Sequence, residues 1–110
     1  MANKTEQDLA TRVLQKLKVI SSTEAPDHED AELVKSIYRD KLAELKDEGK
    51  AYWASNEIPQ AAFIGLSKVI AQECATEFGK QYAGGQEGRD ALAAHSSKQS
   101  DGLSTPIEYF

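Results

Sequence analysis

The chain has a single cysteine, Cys74, so no internal disulfide can brace it, which fits a reducing compartment. It also lacks an excess of positive charge: 13 Lys and Arg stand against 18 Asp and Glu, a net charge of −5. A protein that grips nucleic acid or an anionic membrane with its whole surface needs a concentrated positive field, and that class is excluded, although a local basic patch is not. No apolar run approaches a membrane span, and the first residues lack the apolar core of a signal peptide. The expectation is a protein that starts in a cytoplasm and has no membrane partner. No alternating pattern finds a strand partner, and there is no internal repeat or heptad array.

What is present is 40% apolar and 28% charged residues over 110 positions, enough for one domain with a single core. The stretch Asn56–Gly79 organises it. Phe63, Leu66, Ile70, Cys74 and Phe78 form one stripe at helical spacing, widened by Ile64, Ala71 and Ala75 on one side and by Ala62 and Val69 on the other. Pro59 suits a first helical position, Asn56 or a residue shortly after it is the expected cap, and Gly79 is the expected stop. A helix apolar over more than half its circumference is a central one.

Two amphipathic helices precede it. Thr5-Glu6-Gln7-Asp8 reads as a capped, acid-first start, and Leu9, Val13, Leu17 and Ile20 recur along one face, which predicts a helix from about Glu6 to Lys18. After a polar loop ending at Pro26, Asp27 to Asp30 opens a second helix with the stripe Ala31, Val34, Tyr38, Leu42 and Leu45, flanked by Leu33 and Ile37 and stopped at Gly49. Its other face, with Glu32, Lys35, Arg39, Lys46 and Asp47, reads as a solvated surface laced with pairs such as Glu32 with Lys35. In the connection that follows, Tyr52 and Trp53 either fold back over the core edge or form an exposed contact patch for a partner.

Beyond Gly79 the character changes. Gly84, Gly85 and Gly88 are expected to interrupt any continuous helix, and Arg89 to Lys98 to form a short, weak fourth helix closed by Ser100-Asp101-Gly102. Leu103 to Phe110 reads as an extended, apolar-rich tail. The fold expected is therefore all-α: a small bundle of three main helices organised about the central apolar one, with a weak fourth helix and an extended C-terminal tail. The body occupies residues 1–80, and the glycine-rich connector, weak helix and tail occupy 81–110.

Catalytic chemistry finds no constellation. Gly84-Gly85-Gln86-Glu87-Gly88-Arg89 has neither the preceding strand nor the Gly-Lys-Ser/Thr that a phosphate-binding loop requires, so it reads as a connector. Cys74 lies within the apolar stripe, where a thiol behaves as a small hydrophobe, and neither His28 nor His95 is placed to activate it or to complete a metal-ligand spacing. Glu73 and Glu77 share a flank one turn apart, which reads as two solvated acids near a helix end well before it reads as an acid–base pair. A groove-reading helix must show Arg, Lys, Asn or Gln. The central helix shows mainly Gln60, Lys68, Gln72, Glu73 and Glu77, and the first helix has Arg12, Lys16 and Lys18 preceded by acids. The expectation is a non-enzymatic protein with no cofactor and no metal.

Two segments carry a resemblance. Asp8-Leu9 with Arg12-Val13-Leu14-Gln15-Lys16-Leu17-Lys18-Val19 is similar to the first helix of the tailed-phage head-to-tail adaptor family, the head-completion or packaged-DNA-stabilisation proteins, whose pattern there is "DL…R.L..LGV"; Lys18 stands in place of the glycine. Trp53 to Gly79, with W…E-I-P…A-F…L…I-A…A…F-G, resembles the family's central helix and the loop before it. The similarity spans about Thr5 to Gly79, together with a C-terminal tail ending in Tyr109-Phe110. It implies a non-enzymatic structural protein of a phage virion, assembled as a ring under the portal protein and dodecameric by that likeness. The ring would extend the channel through which double-stranded DNA passes without sequence-specific binding, help retain packaged DNA, and offer a docking surface to a tail or nozzle protein. The implied location is the head–tail junction, reached from the host cytoplasm during assembly. Leu103, Pro106, Ile107, Tyr109 and Phe110 are then the expected portal contacts, unless the tail folds back on its own core, and Tyr52 and Trp53 form a secondary contact. The reading from another class is a small helical DNA-binding or packaging accessory protein that uses the basic face of the first helix.

Overall fold

The computed structural model describes residues 3–104, with side chains as far as Ser96, and contains four α-helices and no strand among them. Helix α1, Glu6–Lys16, begins with the capping box that its sequence encodes. The Asp8 amide donates to Thr5 Oγ1 (3.1 Å) and the Thr5 amide donates to Asp8 Oδ2 (3.0 Å). Helix α2, His28–Asp47, is capped by the Asp27 carboxylate and buries Ala31, Val34, Tyr38, Leu42 and Leu45, the predicted stripe. Glu32 and Lys35 pair on its outer face at 3.3 Å.

Helix α3, Gln60–Ala75, continues as a single 3₁₀ turn, Thr76–Phe78, and ends at Gly79 in the left-handed region. Pro59 precedes the helix as its cap and does not enter it. Asn56 caps a different helix from the one expected: its side-chain oxygen accepts the Glu6 amide at 2.8 Å, so the connection before α3 closes the N-terminus of α1. The backbone of Lys4 and Ile58 exchanges two hydrogen bonds at the same junction. The α3 stripe is buried as predicted from Phe63 through Cys74, with Phe78 partly buried. Ile64 is the exception, 59% exposed.

The region after Gly79 departs most from expectation. It holds helix α4, Gly85–Ser104, which is as long as α2 and is not a short, weak helix starting at Arg89. Its glycines do not interrupt it because they make its contact with α3. A methyl group on Gly88 would run into the Gly65 carbonyl oxygen and sit 2.9 Å from Val69 Cγ2, so the two backbones cross at a distance only glycine permits. The Gln72 side chain of α3 accepts the Gly85 amide (2.7 Å) and serves as a remote N-cap for α4. Leu92 of α4 is fully buried in the common core, and Arg89 reaches Glu48 (3.1 Å) and Glu44 (3.6 Å) on α2. Leu103 falls within the α4 span, so the extended tail does not begin there; 105–110 lie outside the described residues.

Candidate functional site

The aromatic pair in the α2–α3 connection is split by the fold. Trp53 is buried and donates from Nε1 to Tyr38 Oη (3.2 Å), which in turn donates to the Ser55 carbonyl (2.8 Å). Burial pushes the Tyr38 phenol up to about 12, against a weaker opposing pull from the Trp53 hydrogen bond. Tyr52 is half exposed, edge-on to Trp53 with ring centroids 5.3 Å apart. It also stacks on His95 of α4 at 5.7 Å, with Tyr52 Oη and His95 Nε2 2.8 Å apart. Of the two readings of this pair, Trp53 follows the core-covering one. Tyr52 is the member left at the surface. Of the expected portal contacts, Leu103 lies in α4, while Pro106, Ile107, Tyr109 and Phe110 lie outside the described residues.

Two charged surfaces are assembled by the packing, and they lie on opposite flanks of α3. One is a recess of about 310 Å³ between α2 and α3, lined by Ile37, Asp40, Lys41, Glu44, Glu73 and Glu77. The Lys41 side chain is only 9% exposed, and its ammonium sits 2.9 Å from a Glu44 oxygen and 3.2 Å from a Glu73 oxygen. Hydrogen bonding from Lys41, helped by its charge and that of Arg89, holds the Glu44 carboxyl below its usual range. Glu73 is thus an ion-pair partner, whereas Asp40 and Glu77 bring their charge to the rim. Four carboxylates and one ammonium leave the recess negative.

The other surface is basic and joins α1 to α3. Arg12 and Lys4 both lie over the Phe63 ring, each 5.4 Å from its centroid. Lys16 follows Arg12 by one turn, with Lys68 of α3 close by. Partial burial, and then the charges of Lys68 and Arg12, pull the Lys16 ammonium below its ordinary range, with Glu87 opposing. Lys68 is paired with Glu87 at 2.7 Å. The exposed Ile64 lies on this flank, next to Phe63 and one turn before Lys68. In sequence, Ile64 counts toward the apolar stripe. In the fold α4 packs across Gly65 and Val69, and Ile64 stays exposed.

Nucleophilic chemistry gains nothing from the fold. The Cys74 thiol is buried, and desolvation, followed by the nearby Glu73 and Glu77 charges, pushes it up to about 12. Among the described residues no group of His, Cys, Asp and Glu is arranged to hold a metal ion, and no helix is long and apolar enough to cross a membrane. No family model, curated protein or solved structure matches the chain.

Proposed function

We propose that the chain is a non-enzymatic head-to-tail adaptor of a tailed phage. It assembles as a ring under the portal, extends the DNA channel, helps retain the packaged genome and provides the tail with a docking surface. The observation that carries this reading is the backbone of Lys18. The family pattern has a glycine at this position, and here Lys18 takes the conformation glycine favours, with φ of 61°. The α1 terminus closes as a Schellman motif: Val19 N–H donates to the Leu14 carbonyl (2.9 Å) and Lys18 N–H to that of Gln15 (3.0 Å). A lysine that keeps a glycine's geometry supports the resemblance at the position where the sequences differ. The segment resembling the family's central helix likewise runs from the Trp53 loop to a left-handed Gly79.

Mixing the purified chain with portal protein and imaging the product by electron microscopy tests this. A ring-shaped layer added to the portal is expected; portal particles left bare would count against the adaptor. The second reading, a DNA-binding or packaging accessory protein, draws on Arg12, Lys16 and Lys68 clustered on one flank. It predicts duplex binding that falls steeply with salt. The net charge of −5 is compatible with the adaptor, since an acidic channel wall would let phosphates slide past.

A further inference from the structure

We infer that the two charged flanks of α3 are the two halves of one head-to-tail contact between copies of this chain, with Ile64 of one copy seated in the α2–α3 recess of the next. This rests on the ring proposed above and specifies its subunit interface. Ile64 and Glu73 are nine residues apart on α3, about two and a half turns, which puts them on opposite sides of the helix. A subunit therefore cannot fill its own recess, and two copies cannot bury both halves against each other through one shared two-fold patch. A contact between different surfaces propagates and closes into a ring when the rotation per subunit allows it.

The two halves are complementary in apolar character and in charge. Ile64 is 59% exposed, a branched apolar side chain standing out from a flank that carries Arg12 and Lys16, with Lys68 beside them already paired to Glu87. The recess has Ile37 in its wall, about 310 Å³ of space, and carboxylates around it, of which Asp40 and Glu77 have no ion-pair partner among the described residues. An isoleucine entering it meets Ile37, and the surrounding cations meet the carboxylate rim. One apolar anchor and a few solvent-exposed ion pairs make a weak contact. Such a contact suits subunits that close a ring only when a template holds many of them together. Duplex DNA is the competing occupant of the basic flank. It leaves both the exposed isoleucine and the acidic recess without a role.

Disulfide trapping at high protein concentration tests the contact on the isolated chain, without portal. The pair is Ile64→Cys on one chain and Ile37→Cys on another, with the buried Cys74 left in place. The mixture is expected to give a crosslinked dimer, and a chain carrying both substitutions a ladder of oligomers. Either single variant alone should give no more product than a control that pairs Ile64→Cys with the exposed Ser36→Cys. Asp40→Lys with Glu77→Lys on the recess side should lower the yield roughly threefold to tenfold, as the loss of two exposed ion pairs would. Arg12→Glu with Lys16→Glu on the partner chain should restore it. The contact is wrong if the Ile64→Cys chain crosslinks to itself as well as to its intended partner, if the yield equals the control, or if charge reversal on both sides fails to rescue. Salt-sensitive retention of duplex DNA that is lost in the Arg12→Glu, Lys16→Glu chain would assign the flank to DNA instead. None of these outcomes depends on portal, so failure here removes the interface and leaves the portal-mixing result to judge the adaptor.

Discussion

At the scale of single residues, three helix termini among the described residues close by the same two hydrogen bonds, and one of these three does so without glycine. Gly49 and Gly79 take φ of 75° and 66°, and the residue after each donates five positions back, Lys50 to Leu45 and Lys80 to Ala75. Lys18 occupies the equivalent position after α1 at φ of 61°. A left-handed conformation costs a residue with a Cβ about 1–2 kcal/mol. Glycine would remove that strain but raise the entropy of the unfolded chain by about 0.4–1 kcal/mol. Lys18→Gly should therefore stabilise the protein by about 0.5–1 kcal/mol, read as a higher urea midpoint with an unchanged slope. A lower midpoint would mean that the Lys18 side chain makes a contact worth more than the strain.

At the scale of elements, the crossing of α3 and α4 reverses an ordinary rule. Glycine to alanine inside a helix usually gains about 1 kcal/mol through propensity. At Gly88 the added methyl meets the Gly65 carbonyl and Val69, so Gly88→Ala should instead lose about 1–3 kcal/mol by overpacking. Chemical denaturation decides between the two signs. This crossing also explains why only Arg89 to Lys98 of α4 reads as helix in the sequence, with its first turn and full length missed, while α1 and α2 are legible. The Thr5–Asp8 box, the Asp27 cap and the stop at Gly49 are local devices, set by residues within a few positions of one another. The features that make α4 a full helix come from α3: the Gly65 groove that accepts Gly88, and the Gln72 side chain that caps Gly85. Seen alone, Gly84, Gly85 and Gly88 look like a connector. Asn56 misleads for the same reason, since the amide it caps is 50 positions away. The surface flanks were half legible: Arg12, Lys16, Glu73 and Glu77 stand out by type, whereas the exposure of Ile64 and the burial of Lys41 appear only once α4 and α2 are docked.

At the scale of the whole molecule, the apolar content is largely committed to one core shared by all four helices. Among the described residues only Tyr52 and Ile64 remain as large exposed hydrophobics. A chain so committed has little left for a strong contact of its own, and under the proposed adaptor role the expected portal contacts are the C-terminal Pro106, Ile107, Tyr109 and Phe110, which lie outside the described residues. Burying Ile107, Tyr109 and Phe110 would contribute about 1.5–3 kcal/mol each, against about 1–2 kcal/mol for each backbone residue ordered. The two sums are close, so one tail binding alone gains little. Docking becomes favourable when main-chain hydrogen bonds to a sheet edge are added and when neighbouring subunits bind together. Deleting 105–110 spares α4 and every described core residue. The shortened chain should keep its helical circular dichroism and melting temperature, and should no longer add a ring to portal. Unchanged assembly would move the portal contact to another surface, with Tyr52 beside His95 the next to test. A melting temperature lowered by several degrees would instead mean that these residues pack on the chain's own core, since a loss of 1 kcal/mol shifts a domain of this size by roughly 4–8 °C.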